Sequence, residues 1–440
     1  MQIGVDIWFT LALAATALVL GRAIVDRVHF LSHYSIPDAV VGGLLFSAII
    51  LLLRGGGNVQ VSFDSALLTP LNVMFFTTVG LSADARSLAK GGKLLIVFLA
   101  AVVGSLIMQN AIGVGLARLF DIHPANGMLA GSITLTGGHG TAAAWGSKFV
   151  EERNLQGAIE LGIAAATYGL VFGGLFGGPF ASWLLRRHGI KSPGAAAAHA
   201  SGAARSHGTT PGAAAPGAGA SHGETSGVRL PDAEGPGATT PRALASETEA
   251  VTVATLVETL LLIFVSMAIG FLLYDWFGRG AFTLPTFIWA LVVGAALRNL
   301  LSLTGLYEVD DRAVELLGTL SLSLFLAMII MTLRLWELVD LAGPIVVILV
   351  AQTIAMLAYC ALITYRLMGR NYDAVLLATG HLGFGLGSTA TAMVNVQTIT
   401  DRHGHSHLAF LLIPVMGAFL VDLANALIIQ GFLFLPGFTW

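Results

Sequence analysis

Gly131-Ser-Ile-Thr-Leu-Thr-Gly-Gly-His-Gly-Thr-Ala-Ala-Ala-Trp145 and Gly380-His-Leu-Gly-Phe-Gly-Leu-Gly-Ser-Thr-Ala-Thr-Ala392 are the two stretches on which the fold turns. Each lies in an apolar segment, 126–146 and 374–396, that glycines and hydroxyls interrupt too often for a plain spanning helix. Glycine lets the backbone leave helical geometry and approach a ligand closely. Irregular backbone at membrane depth is tolerated only where it is buried in protein or lines a cavity. The freed N–H groups then suit a carboxylate and the freed carbonyls a cation, with Ser and Thr adding neutral donors. That chemistry fits a small anionic or zwitterionic solute taken with a coupled cation. Packing through small residues is the competing reading. It accounts for glycines spaced by four, such as Gly169 and Gly173, and for Gly173-Gly174 and Gly177-Gly178 ahead of Pro179. It accounts poorly for the cluster Gly137-Gly138-His139-Gly140.

The rest of the chain supports a membrane setting. Only 11% of its 440 residues are charged and 55% are hydrophobic, against roughly a quarter charged in soluble domains. So few charges cannot cover a soluble surface, which excludes an ordinary cytoplasmic enzyme. A net charge of −3 with no basic run argues against a nucleic-acid partner. The single cysteine, Cys360, excludes an intrachain disulfide and a cysteine-built metal site, and its apolar surroundings read as packing. No positive n-region precedes the first apolar run, so that run reads as a retained helix rather than a signal peptide.

Spanning segments are expected near 7–27, 36–53, 66–83, 93–119 and 156–185, and again near 253–275, 284–302, 314–333, 343–366 and 408–435. Residues 189–250, rich in Ala, Gly, Ser, Thr, Pro and His, have no aromatic residue and no apolar period. They read as a disordered linker, and the scattered His199, His207 and His222 read as linker composition rather than a metal site. The two sets match each other. Gly21 corresponds to Gly270, Pro37 to Pro285, Phe75 to Phe325, Leu88 to Leu338, Gly137 to Gly385, Thr141 to Thr389 and Arg153 to Arg402, at a nearly constant offset. The predicted organisation is a first transmembrane repeat, 1–188, the linker, and a second repeat, 251–440.

Five spans per copy is an odd number, so the second copy enters from the opposite side. The fold class is thus an all-α integral membrane protein of two inverted-topology five-helix repeats, each with a glycine-rich re-entrant hairpin. With the N-terminus outside, only Arg54, Arg118, Lys148, Arg153, Arg279 and Arg334 of the 22 basic residues fall outside, as the positive-inside rule favours. This requires 126–146 and 374–396 to return to the side they left. Both termini are then outside and the linker inside.

Ionisable and amide groups within the spans are candidate functional residues. Asp422 has Asn425 one turn on, on the same helical face. Gln109 and Asn110 lie deep in the fourth span and Gln352 in the ninth. Their oxygens are hard donors suited to Na⁺, and a buried carboxylate without a cation is costly. Asp422 reads as a cation or a substrate contact. Glu258, near a span end, reads as an interfacial acid. His139 and His381 are each open to three roles: proton site, substrate ligand or hydrogen-bonded scaffold. Gly383-x-Gly385-x-Gly387 does not follow a strand, so a dinucleotide loop is excluded. A potassium-filter loop fits less well than two hairpins entering from opposite faces.

The two glycine-rich stretches, with Ser35-Ile-Pro-Asp38, Met108-Gln-Asn-Ala-Ile-Gly113, Ser321-Leu-Ser-Leu-Phe-Leu-Ala327 and Met416-Gly-Ala-Phe-Leu-Val-Asp-Leu-Ala-Asn-Ala426, closely resemble the motifs of the bacterial sodium/glutamate symporter family. The resemblance runs in order through both repeats and omits the linker. It implies an inner-membrane carrier that imports L-glutamate with Na⁺, with no other cofactor. It also implies two re-entrant loops meeting near mid-membrane, a homodimer, periplasmic termini and a cytoplasmic linker. Carried over by position, it implies substrate contacts at Thr134, Thr136, Gly137, Gly138, His139, Gly140 and Thr141, and at Gly383, Phe384, Gly385, Leu386, Gly387, Ser388 and Thr389. Asn425 joins these contacts, and Asp422 stands beside it in the matching last span. Two departures stand out: a longer Ala/Gly-rich linker, and Ala390 where the family pattern has proline. The rival readings are a proton-coupled carrier, a carrier of another dicarboxylate or amino acid, and an intramembrane protease. The last finds only Tyr372-Asp373 for an aspartyl site, with no second Asp after Gly385-Leu386-Gly387, or a Ser388–His381 pair.

Overall fold

The computed structural model describes residues 2–33, 36–57, 60–86, 91–190, 251–277, 284–334 and 342–435, and the structural statements below concern these residues. Linker residues 191–250 lie outside them, as do Ser35, Leu88, Arg279 and Leu338. Helices dominate. The first half carries α1 Ile7–Val25, α2 His29–His33, α3 Asp38–Gly57, α4 Leu68–Leu81, α5 Gly92–Leu119, α6 Pro124–Leu129, α7 Ser132–Leu135, α8 Gly138–Arg153 and α9 Ala158–His188. The second half opens with α10 Val253–Phe277, α11 Thr286–Thr304, α12 Asp311–Met331 and α13 Ala342–Leu367. It continues with α14 Tyr372–Leu386, α15 Thr389–His403, α16 His407–Val415 and α17 Val421–Leu433. A π-helical turn, Cys360–Thr364, lies within α13, and another, Met416–Leu420, joins α16 to α17. Each expected span coincides with one of these helices, the last with α16 and α17 together. Seven of the helices (α1, α5, α9, α10, α11, α12 and α13) are long and apolar enough to cross a membrane. The chain is an all-α, multi-pass membrane protein.

One small β element was not anticipated. β1, Gln2–Val5, and β2, Gln60–Phe63, pair in parallel from Gln2↔Gln60 to Val5↔Phe63. β1 precedes α1 and β2 follows α3, and α1 packs along α3. Helices running in opposite directions bring those two flanking segments to the same end, where they satisfy each other's backbone groups.

The helices divide into two bundles by contact. α1, α3, α4, α10, α11 and α12 form one, in which α1 packs on α3 and α10 on α11, while α4 packs on α11 and α12, and α12 on α3. Contacts are thus exchanged between the halves in matching pairs. Lipid tails are as apolar as leucine, so close helix approach in a membrane rests on small residues and van der Waals contact. At the α1–α3 crossing a Cβ on Gly21 or Gly42 would fall on the facing backbone, and Gly270 meets Ala290 in the same way at the α10–α11 crossing. The second bundle holds α5–α9 and α13–α17, with α9 packed along α8, α14 and α15. At its centre is α14, buried from Ala374 to Leu386.

Candidate functional site

Two broken helices face each other inside the second bundle. The first runs α6–α7–α8, interrupted at Ala130-Gly131 and again at Thr136-Gly137. At Gly138 φ is +68°, a left-handed backbone that a side chain would strain. The second is α14–α15, interrupted at Gly387-Ser388. In the second, α14 packs on α15. At the base of α14–α15, Tyr372 Oη donates to Gly404 O at 2.6 Å and Ser406 Oγ to Asp373 Oδ1 at 2.7 Å. At the base of α6–α8, burial, with the Arg153 charge added, holds His123 below the ordinary imidazole range.

The tips are fastened by neutral polar groups. Gln109 on α5 donates from Nε2 to Gly385 O at 2.7 Å and accepts from Thr136 Oγ1 at 2.8 Å. Thr136 Oγ1 also lies 3.2 Å from Gly385 O, so one fully buried amide clamps the two breaks together. Gln352 on α13 donates to Gln109 O at 2.6 Å, while its Oε1 is buried with no partner among the described residues. A second knot holds Ser132. Its hydroxyl lies 2.9 Å from Asn110 Oδ1 and 2.6 Å from Asn425 Oδ1, and Asn425 Nδ2 donates to Ser132 O at 2.9 Å. One hydroxyl proton serves two amide oxygens there, and Asn110 Nδ2 has no partner among the described residues.

Between the bundles lies a cavity of about 620 Å³. It runs from the two tips to the end of the molecule where α3 and α12 begin and α4 ends, marked by Pro37, Asp311 and Ser82. The second bundle gives it Thr136, Gly137, Gly138, His139, Gly140 and Thr141 from the first break, Gly387, Ser388 and Thr389 from the second, and Asp422 from α17. The first bundle, through α4 and α12, gives it Phe75, Thr78, Glu315 and Thr319 among others. Helices α8 and α15 both start at this cavity, so two sets of helix-N-terminal N–H groups point toward it. Ser388 caps α15 by accepting from Thr391 N at 3.2 Å. Asp422 makes no hydrogen bond or ion pair among the described residues. The π-turn just before it sets Gly417 against Thr389. Such single-turn π segments recur at functional sites.

Other predicted residues fall behind the cavity. Thr134 is fully buried and donates to Leu129 O at 2.6 Å, satisfying a carbonyl at the end of α6. The Phe384 and Leu386 side chains are core, with Phe384 stacked on His381 at 5.1 Å. Gly383 lies against Ala392 and Gly385 against Met356. Gln109, Asn110, Gln352 and Asn425 sit in the fastening network rather than on the cavity wall. The two histidines separate. His381 is fully buried, with Nε2 3.0 Å from Ser105 Oγ and Nδ1 2.9 Å from Thr364 Oγ1, which belongs to the π-turn of α13. Both its nitrogens are committed to scaffold. His139 lines the cavity, and its Nε2 lies 3.1 Å from Thr167 Oγ1. Thr167 itself donates to Ile163 O at 2.8 Å, so Nε2 carries the proton of the neutral ring and Nδ1 keeps its lone pair. Sequence reading missed the wall from α4 and α12. Asp311 looks like an ordinary first-turn acid and Glu315 like an acid one turn further on, and only the packing of α12 across the tips brings them to the cavity.

A cavity wedged between two helix bundles and floored by two broken helices defines a multi-pass membrane carrier. The sodium/glutamate symporter family matches residues 3–208 and 238–405. The sodium/glutamate symporters of Escherichia coli and Shigella flexneri are each 44% identical over 434 residues, 99% of both chains compared. That of Haemophilus influenzae is 41% identical over 421 residues, 96% of this chain and 95% of its own. The chain belongs to the sodium/glutamate symporter family, a family of transporters.

Proposed function

We propose that this chain is a secondary active transporter that imports L-glutamate together with Na⁺ by alternating access. The observation that carries the reading is the cavity itself: two helix N-termini and an unpartnered carboxylate, Asp422, line it together. Glutamate has two carboxylates, and the starts of α8 and α15 offer one N–H cradle from each repeat. The cavity wall carries Asp311, Glu315 and Asp422 but no Lys or Arg among the described lining residues, and Asp311 is paired with Arg298 at 2.9 Å. Such a wall repels an anion and attracts cations. Na⁺ therefore binds first, at oxygens near Asp422 and the amide network, and glutamate binds to the neutralised site. By linkage, each ligand then raises the other's affinity by the same factor.

In this reading the broken helices are re-entrant hairpins entering from opposite faces of the bacterial inner membrane, and the repeats are inverted. The termini are periplasmic, the linker is cytoplasmic, and the cavity opens to the cytoplasm. The second bundle slides as a unit against the first, which sits at a homodimer interface. The contact pattern supports this division, since most helix contacts stay within a bundle.

The test is uptake of labelled L-glutamate into proteoliposomes, with and without an inward Na⁺ gradient, for the wild type and Asp422→Asn. Uptake that needs Na⁺ and is lost in the variant is expected. Uptake driven by a pH gradient without Na⁺ would transfer the coupling to protons, with Asp422 as the group that carries them. Uptake that needs Na⁺ but is unchanged in Asp422→Asn would remove Asp422 from the path.

A further inference from the structure

On the outer surface of the second bundle, α9 and α13 leave an apolar groove of about 450 Å³ between them. Its α9 wall is Phe176, Phe180 and Trp183, spaced as one helical stripe, and its α13 wall includes Ala358, Ala361 and Leu362. Any membrane protein shows apolar surface to lipid, so apolarity alone says little. The end of the groove is what distinguishes it. One turn beyond Trp183 the α9 stripe reaches Arg187, and one turn beyond Leu362 the α13 stripe reaches Arg366. Both arginines are exposed, and neither has an ion pair among the described residues. The two helix ends are neighbours, since His188 and Tyr365 have ring centroids 4.6 Å apart. The two stripes therefore end in arginines at the same end of a hydrocarbon-lined trench. Trp183, 47% exposed, stands where the apolar and charged parts meet. This is the place an indole takes at a membrane interface.

We propose that this groove binds an anionic phospholipid, its acyl chain lying along Phe176, Phe180 and Trp183 and its phosphate held between Arg187 and Arg366. Guanidinium forks match phosphate oxygens in pairs, which a zwitterionic lipid answers only in part because its own cation offsets the charge. Both arginines lie in the last turns of their helices, where the carbonyl ends carry partial negative charge and by themselves disfavour a phosphate. The attraction thus belongs to the two side chains and disappears with them. Because α9 and α13 are in the bundle that carries the cavity, the lipid would travel with that bundle.

The experiment is native mass spectrometry of the purified full-length chain with equal added amounts of palmitoyl-oleoyl phosphatidylglycerol or phosphatidylcholine. Wild type is expected to retain phosphatidylglycerol over phosphatidylcholine. Arg187→Gln/Arg366→Gln is expected to lose that preference by about fivefold per arginine, the worth of one basic group near an anionic surface. Trp183→Ala is expected to weaken both lipids while keeping the preference. All three side chains are exposed, and an unchanged melting temperature checks that the variants fold. Equal retention of the two lipids by wild type would overturn the proposal, as would an unchanged preference in the double-arginine variant. Displacement of phosphatidylglycerol by inorganic phosphate at the same concentration would also overturn it, leaving a site for free anions.

Discussion

At the end of the molecule opposite the cavity mouth, the described residues tie the two bundles through Glu160. Glu160 in the first turn of α9 accepts from the backbone N–H of Arg334, just past α12, at 2.6 Å. Arg334 Nη1 also reaches Gln156 Oε1 at 3.4 Å. Glu160 is only 6% exposed. A hydrogen bond to an ionised group contributes about 1.5–3 kcal/mol. Arg334 is exposed, so the low end, about 1.5 kcal/mol, is the fitting figure. If sliding of the second bundle breaks the contact, Glu160→Ala lowers the ratio of this state to its alternative by about tenfold. Glu160→Gln, which keeps an acceptor without the charge, should lower it by less. The assay uses Thr319→Cys, on the cavity wall, labelled by an impermeant maleimide in inside-out vesicles. The native Cys360 is fully buried and does not compete. Labelling is expected to slow in Glu160→Ala and to recover partly in Glu160→Gln. An unchanged labelling rate in a folded Glu160→Ala protein would refute the latch, and with it the idea that this end closes by contact between the bundles.

Two more outcomes follow from the fastening network and the histidines. Gln109→Leu removes the donor to Gly385 O and the acceptor of Thr136, which should cost about 2 kcal/mol, since single interhelical hydrogen bonds in membranes contribute about 0.6–1.7 kcal/mol. Thermal unfolding in detergent would detect this loss, and a melting temperature equal to wild type would show that Gln109 does not clamp the tips. His381→Ala empties a ring site flanked by Phe98, Phe384 and Tyr359 and should cost about 2–4 kcal/mol of stability. His139→Ala loses one hydrogen bond, to Thr167, and opens onto an existing cavity, so it should cost about 1 kcal/mol of stability, less than His381→Ala, but raise the glutamate KM, and equal effects of the two changes on melting would argue against assigning them different roles.

The reason sequence reading reached so far lies in the physics of the bilayer. A spanning helix must be about 20 apolar residues long, so each span is visible as a run, and each of the ten expected runs became helix. Breaks in such helices need glycine and hydroxyls, so Gly137-Gly138 and Gly387-Ser388 were visible as interruptions too. What hides is direction. Gly383, Phe384, Gly385 and Leu386 share a motif with Gly387, Ser388 and Thr389, yet the first four lie in α14 and pack inward while the last three meet the cavity. A motif in one dimension does not say on which side of a helix break a residue falls.

By itself the sequence determined the membrane setting, the helical class, the positions of the spans, the two breaks and the family, because each of these depends on composition or on spacing along the chain. Tertiary structure alone decided the rest. It lined one cavity with Asp311 and Glu315 of one bundle and Asp422 of the other, set Gln109 between Thr136 and Gly385, and gave His381 hydroxyl partners from α5 and α13. It also brought the ends of α9 and α13, with Arg187 and Arg366, together. These relations join residues up to hundreds of positions apart, and they exist only once helices pack at particular rotations, which hydropathy leaves free in a chain apolar on nearly every face.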